Sequence, residues 1–124
     1  MRKDELRRHL AVLVILAVIT LVMTYPLVLH LGSSARDPGD PLLNAWILAW
    51  DVHAVFSGAA SLFDANIFHP VRNALAFGDP LLGAVPLFAP PYLLTGDPVI
   101  AYQTTLLCTL AMCGAGMFVL ARHW

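Results

Sequence analysis

Charged side chains are scarce in this sequence. Asp, Glu, Lys and Arg make up 12% of the 124 residues, whereas 59% are hydrophobic and the mean hydropathy is +0.74. Soluble globular domains carry about 25% charged residues, so the composition excludes an ordinary soluble domain and indicates a membrane protein. The net charge is −1. That value by itself says nothing about nucleic acid, and we expect no nucleic-acid partner for this membrane chain.

Cysteine is also rare, and the common catalytic motifs are missing. The two cysteines, Cys108 and Cys113, are spaced five apart, which matches no zinc-binding or redox motif. We interpret them as small apolar packing residues. The sequence holds no Walker loop and no GxGxxG, HExxH or GxSxG motif. It therefore lacks the usual nucleotide-binding, metalloprotease and serine-hydrolase sites.

Two long hydrophobic runs without Asp, Glu, Lys or Arg occupy residues 10–31 and 99–121. A helix needs roughly 20 apolar residues to cross a hydrocarbon core of about 30 Å. We therefore predict an all-α membrane protein, with transmembrane helices at residues 9–31 and 98–121. A shorter run at residues 81–94 contains three prolines and fits a broken interfacial helix better than a span.

Lys and Arg flank these runs. Four precede the first run and Arg122 follows the second, whereas residues 32–98 hold only Arg36 and Arg72 against six aspartates. By the positive-inside rule, residues 1–8 and 122–124 are cytoplasmic and the loop at 32–98 is external. A cleaved signal peptide with small residues at 33–35 is the alternative. We favour an uncleaved anchor, because the run is longer than a signal-peptide core.

The external loop repeats the triplet Gly-Asp-Pro, at residues 39–41, 78–80 and 96–98. Asp accepts hydrogen bonds from free backbone N–H groups at a helix N-cap, and Pro is tolerated at the first helical position. The triplets predict helices that begin near residues 41, 80 and 98, capped by Asp40, Asp79 and Asp97. The first two would be interfacial helices near residues 41–56 and 80–95.

The helical period gives the segment at residues 41–56 two different faces. An acidic face carries Asp40, Asn44, Ile47 and Asp51, and an aromatic face carries Trp46, Trp50 and His53. Tryptophans four residues apart are typical of a membrane interface, so we interpret the aromatic face as an anchor. Asp37 lies in an Asp-Pro-Gly turn that requires no acid. The acid beyond what capping requires indicates a function.

Carboxylates at the mouth of a transmembrane bundle suit chemistry on a lipid-linked substrate. Asp37 and Asp40 could remove a proton from a hydroxyl, or hold a divalent cation against a phosphate. We assign no cofactor and no metal-ligand residue from the sequence, and a divalent cation is the one option left open. Asn44 and Asp51 are candidate substrate-binding residues. Arg72 could bind a phosphate, although a salt bridge to a loop aspartate explains it equally well.

Two further segments have a predicted packing role. Residues 57–78 lose the helical period, and we expect an ordered loop held by Phe63, Phe68 and Phe77. The second predicted span carries a patch of small residues, Ala111, Gly114, Ala115 and Gly116. Small residues let another helix approach closely, so we expect further transmembrane helices or subunits.

Four segments follow one another along the chain: DPGDPLLNAWILAWDVHAV, LFDANIFHP, FGDPLLGAVPLFAP and LTGDPVIAYQ. Together they resemble the amino-terminal portion of bacterial integral-membrane glycosyltransferases of the GT-C superfamily, over residues 9–122. The resemblance implies a multi-spanning enzyme surrounded by lipid in the bacterial inner membrane. It also implies a polyprenyl-phosphate sugar as donor, with transfer on the outer, periplasmic face.

The resemblance further implies a catalytic aspartate soon after the first span, which indicates Asp40, with Asp37 as the alternative. Asp40 would act as general base on the acceptor hydroxyl or help to place the acceptor. Because such enzymes continue for several hundred residues, we expect this chain to be an amino-terminal segment that is inactive alone. The alternative is a non-catalytic two-span subunit or assembly factor.

Overall fold

The computed structural model describes residues 3–32, 39–58 and 61–124. All regular structure in these residues is helical, without a strand. The α-helices are α1 (Lys3–Met23), α2 (Asp40–Ser57), α3 (Val85–Thr95) and α4 (Pro98–His123), and short 3-10 helices lie at Leu27–Leu29, Ala74–Phe77 and Leu82–Ala84. The predicted all-α class is confirmed for this part of the chain.

The first hydrophobic run is only partly α-helical. α1 begins at Lys3, within the basic segment, and ends at Met23, so the prediction of one continuous helix over residues 9–31 is wrong. Pro26 explains the early end, because proline has no backbone N–H and disfavours helical geometry at the residue before it. The run continues as the 3-10 helix Leu27–Leu29.

α2 and α4 begin where two of the Gly-Asp-Pro triplets predict. α2 starts at Asp40 and α4 at Pro98. The middle triplet is followed by irregular backbone and the 3-10 helix Leu82–Ala84, and α3 begins only at Val85. The helix predicted at 80–95 therefore starts later than expected. α3 continues through Pro90 and Pro91 to Thr95. Gly96 follows it with a φ of 70°, a conformation that glycine adopts readily.

The aspartates of the three triplets differ in what their carboxylates do. Asp97 is the N-cap of α4, and its Oδ1 accepts two backbone N–H groups at 2.8 and 3.2 Å. Asp40 is the first residue of α2 rather than its cap, and no side chain caps that helix. Asp79 is exposed and caps no helix. Capping is confirmed for Asp97 and is wrong for Asp40 and Asp79.

α2, α3 and α4 enclose a small hydrophobic core. Its members are Leu48 and Val52 from α2, Phe88 and Ala89 from α3, and Ala101 from α4. Phe88 and Ala101 have no exposed surface. Full burial of a leucine or phenylalanine side chain contributes about 1.5–3 kcal/mol. This cluster therefore fixes how α2 lies on α3 and α4.

α1 packs against the second half of α4. A Cβ atom added to Gly114 would lie 3.1 Å from Cδ2 of Leu16 in α1, so glycine permits this approach. Gly116 is different, because apart from its chain neighbours and the adjacent backbone of α4, no atom of the described residues lies within 4 Å of its Cβ position. The small-residue patch thus serves one helix contact inside the chain and leaves Gly116 uncovered.

Among the helices of the described residues, α4 alone is long and apolar enough to cross a membrane. Its 26 residues extend about 39 Å at 1.5 Å per residue. Only 6% of its most apolar stretch is buried within the chain, and Met117, Val119 and Leu120 are exposed. The second span predicted at residues 9–31 is not shown.

The loop at residues 61–78 is held by hydrogen bonds that each involve at least one backbone group. Trp50 Nε1 donates to the Leu62 carbonyl at 3.1 Å, and the backbone N–H groups of Leu75 and Asn73 donate to the Phe63 carbonyl and the Asp64 carboxylate at 3.2 and 3.0 Å. Phe68 and Phe77 are 65% and 84% exposed. The prediction that these two phenylalanines hold the loop is wrong.

Replacing Asp97 tests the single confirmed cap. We expect Asp97→Ala to destabilise the chain by about 1 kcal/mol, because two N–H groups at the start of α4 lose their acceptor. Asp79→Ala is the matched control and should leave the stability unchanged, since Asp79 caps no helix. Denaturant unfolding in detergent, followed by far-UV circular dichroism, measures both. Equal losses in the two variants would contradict the assignment.

Candidate functional site

Asp40 lies exposed on the first turn of α2. The Gly39 carbonyl accepts the N–H groups of Leu42 and Leu43 at 3.1 and 3.3 Å, so the helix begins without help from the Asp40 side chain. The Asp40 carboxylate makes no hydrogen bond or ion pair with the described residues. It is therefore available to a ligand.

The predicted cation site, the pair Asp37 and Asp40, lies partly outside the described residues, because Asp37 belongs to the segment between 32 and 39. Within residues 3–32, 39–58 and 61–124, no group of three or more His, Cys, Asp or Glu side chains could hold a metal ion. Asp40 is thus the described member of the predicted pair. In these ranges it could act on a ligand only as a single carboxylate.

Asp51 is buried without a partner for one of its carboxylate oxygens. It is 3% exposed, and its Oδ2 has no hydrogen-bond partner in the described chain. Burial raises the pKa of the Asp51 carboxyl above its ordinary value of 3.8, because the ionised form loses its hydration. Asn44, two turns earlier, is half-buried. The predicted acidic face is therefore divided: Asp40 is open and Asp51 is enclosed.

A cavity of about 430 Å³ beside α2, which we call the aromatic groove, is lined chiefly by Trp46, Trp50, His53, Asn66, Tyr92 and Val99. The Trp46 and Trp50 rings are nearly parallel, at 17°, with centroids 6.2 Å apart. The Trp50 ring also lies 5.7 Å from the His53 ring. The aromatic face predicted from the sequence thus forms one wall of a groove. The interpretation of this face as a membrane anchor did not predict a groove.

A second cavity, of about 450 Å³, lies on the neighbouring side of α2. We call it the apolar groove, and its main lining residues are Leu43, Ile47, Phe68, Val71, Leu75 and Phe77. Leu42 lines the aromatic groove and Leu43 the apolar groove, and both belong to the first turn of α2. The two grooves therefore reach the same turn that carries Asp40.

Arg72 does not contribute to either groove. It is exposed in the loop at residues 61–78 and is not among the side chains that line the two cavities. It forms no ion pair with an aspartate of the described residues, so the salt-bridge alternative has no support there. A phosphate-binding role for Arg72 stays a prediction.

The chain matches none of the known proteins to which it was compared. Protein-family models, curated proteins and solved structures give no match. The likeness to GT-C glycosyltransferases therefore rests on the four sequence segments alone.

Sequence reasoning missed two polar groups of the aromatic groove. Asn66 lies in the segment LFDANIFHP, where an amide among aromatic residues was a usable signal. Tyr92 follows Pro90 and Pro91 in an apolar helix, and nothing in that pattern indicates a binding role. Its part in the groove depends on the packing of α3 against α2 and α4.

Replacing Asp51 tests the effect of its burial. The pKa of Asp51 is higher in the folded chain than the 3.8 of the free side chain, so the folded state holds the proton more tightly. The stabilisation of the folded chain by this tighter proton binding is complete below pH 3.8. It is lost as the pH rises through the folded-state pKa. We expect Asp51→Asn, which cannot ionise, to remove this decrease of folding stability with rising pH.

Denaturant unfolding midpoints across the acidic to neutral range measure the effect. Asp79→Asn, at an exposed site, is the control and should keep the pH dependence of the wild type. The prediction fails if Asp51→Asn loses stability with rising pH as steeply as the wild type does.

Proposed function

We propose that this chain is the amino-terminal segment of a membrane glycosyltransferase, which transfers a sugar from a polyprenyl-phosphate donor on the outer face of the membrane. The proposal rests on the Asp40 carboxylate, which is exposed and has no structural partner in the described residues. Capping is the structural explanation for an aspartate between glycine and proline. It fails for both Asp40 and Asp79, but Asp40 is the one on the helical turn that both grooves reach. An exposed carboxylate without a structural partner suits the role of general base.

In the proposed reaction, the Asp40 carboxylate accepts the proton of an acceptor hydroxyl while the hydroxyl oxygen attacks the anomeric carbon of the donor sugar. A bond forms between that oxygen and the anomeric carbon. The bond between the anomeric carbon and the phosphate oxygen breaks, and the polyprenyl phosphate leaves with the electron pair. A positioned base of this kind contributes roughly 10²–10⁴ in rate.

The surroundings of Asp40 support a lipid-linked donor. The apolar groove, which reaches the turn that carries Asp40, is lined almost entirely by carbon. An isoprenoid chain, which offers no hydrogen bonds, suits such a lining. Phe68, Val71 and Phe77 are more than half exposed along it. Further transmembrane helices or subunits would cover this side of the chain.

The proposed topology has α4 and the run at residues 10–31 crossing a bacterial inner membrane, with both termini cytoplasmic and residues 32–98 periplasmic. The length and apolar surface of α4 support this arrangement. The uncovered Gly116 offers a close approach for a further helix. Asp37, Asn44 and Arg72 remain proposed contributors to substrate binding or catalysis, whereas the enclosed Asp51 would need a rearrangement to reach a ligand.

Asp40→Asn tests the base directly. We expect sugar transfer to fall at least about 100-fold, because the amide has nearly the size of the carboxylate but cannot take the proton. The assay uses membranes with the protein at its native length, radiolabelled polyprenyl-phosphate mannose, glucose and arabinose as donors, and label in the membrane acceptors as readout. Asp79→Asn is the matched control, since Asp79 has the same Gly-Asp-Pro setting and caps no helix. It should transfer sugar like the wild type.

Full transfer by Asp40→Asn would exclude Asp40 as the base. Equal losses in Asp40→Asn and Asp79→Asn would show damage to the loop instead of a missing base. The uncovered Gly116 also favours the second candidate function, a non-catalytic two-span subunit or assembly factor. That candidate predicts a defined complex of the chain in detergent, no transfer from any donor, and normal assembly of Asp40→Asn.

A further inference from the structure

The aromatic groove contains polar groups that the fold does not use. His53 and Asn66 are exposed, and Tyr92 is half-buried against Phe88. None of the three side chains donates or accepts a hydrogen bond with the described residues. The same holds for the indole N–H of Trp46. The groove therefore offers both donors and acceptors to a ligand.

One wall of this groove is already fixed in place. The Trp50 indole N–H donates to the Leu62 carbonyl at 3.1 Å, which holds the ring against the loop. Trp46 lies nearly parallel to it. A ligand that packs on these rings meets surfaces that are already ordered, so binding does not have to overcome the entropy of ordering them.

The charges around the groove disfavour an anion. No charged side chain of the described residues lines it. It reaches the N-terminus of α4 at Pro98 and Val99, where free N–H groups would otherwise attract an anion. Asp97 already accepts the N–H groups of Val99 and Ile100, and its negative charge repels phosphate and carboxylate.

We propose that the aromatic groove binds one uncharged sugar ring. The C–H groups on one face of a pyranose are weakly positive and pack on the negative faces of aromatic rings such as Trp46 and Trp50. The ring hydroxyls both donate and accept hydrogen bonds, as do the free groups of His53, Asn66 and Tyr92. A volume of about 430 Å³ is ample for such a ring.

A quaternary ammonium group is the competing ligand, since aromatic rings also attract cations. Such a group forms no hydrogen bonds. It would leave the imidazole of His53, the amide of Asn66 and the hydroxyl of Tyr92 unpaired, and unpaired groups in a binding site weaken binding. The mixture of aromatic and hydrogen-bonding groups therefore favours the sugar.

The biological setting of this sugar rests on the proposed function, but the binding can be measured without any transfer. The full 124-residue chain is labelled with ¹⁵N and dissolved in a polyoxyethylene detergent, because the head group of a glucoside or maltoside detergent would itself compete. Its three tryptophans give three indole N–H signals. Glucose, mannose, galactose and choline chloride are then titrated separately.

We expect at least one hexose to shift the Trp46 and Trp50 signals saturably, with a dissociation constant of roughly 1 mM for a ligand of this size. The Trp124 signal is the internal control and should not move, because this terminal side chain is fully exposed and lines neither groove. Farnesyl-phosphate hexose distinguishes the source of the sugar. Binding tighter than that of the free hexose indicates the donor, and equal binding indicates an acceptor.

Variants complete the test. Trp46→Ala and Asn66→Ala should weaken hexose binding at least tenfold, and Asn66 is exposed, so its replacement leaves the fold intact. Trp124→Ala is the matched control and should bind like the wild type. The proposal is overturned if no hexose gives a saturable shift, if Trp124 shifts equally, or if choline alone binds.

The failures of the two proposals can be told apart with Asp40→Asn. Asp40 is not among the lining residues of the aromatic groove, so this variant should bind hexose like the wild type even though transfer is lost. If hexose binding is absent while Asp40→Asn still abolishes transfer, the proposed sugar site is wrong and the glycosyltransferase proposal is supported. If hexose binds and no donor supports transfer, the glycosyltransferase proposal is wrong and the proposed sugar site is supported.

Discussion

The burial of Phe88 between α2, α3 and α4 sets the position of α2, the helix that carries Asp40 and contributes to both grooves. Leu48 and Val52 of α2 pack on this ring and on Ala101, so one side of α2 is committed to the core. The remaining sides become walls of the two grooves. Because removing a buried aromatic ring costs about 3–5 kcal/mol, losing this contact would disturb both grooves together. Asp40 precedes the first buried residue of α2, Ala45, and stays exposed for that reason.

The three Gly-Asp-Pro triplets show how far a local motif determines structure. Capping requires the aspartate to precede the helix with its carboxylate turned back onto the first N–H groups. Asp97 meets this condition, with extended backbone at φ −106° and ψ 113°. At α2 the helix begins one residue earlier, so Gly39 occupies the cap position and the Asp40 carboxylate has no N–H to accept. A shift of one residue separates a structural aspartate from a free one.

The sequence predicts α2 to within one residue at each end, as Asp40–Ser57 against 41–56, and it predicts the start of α4. It does so because proline, glycine and periodicity act locally. Which face of α2 is buried depends on contacts with α3 and α4, and periodicity carries no information about them. The burial of Asp51 therefore could not be foreseen, and neither could the hydrogen bond from Trp50 to Leu62. The aromatic face with Trp46 and Trp50 was predicted, but not that it forms one wall of a groove. Asp40 was identified as a candidate, although the expected cap was wrong.

The core around Phe88 and the helix α1 differ in how their apolar side chains are covered. Around Phe88 the chain buries its own side chains, whereas α1 has no buried residue among its described side chains. Val14, Val22 and Met23 of α1 are each more than 60% exposed. In α4, more than half of the surface of Met117, Val119 and Leu120 is exposed. Contiguous apolar surface of this extent marks a contact with a membrane or with another protein. α1 and α4 touch closely at Gly114, so an apolar solvent, or further apolar helices, would have to cover the rest. Around Phe88, by contrast, α2, α3 and α4 cover one another's apolar side chains, so this part of the chain needs no outside partner to bury its core.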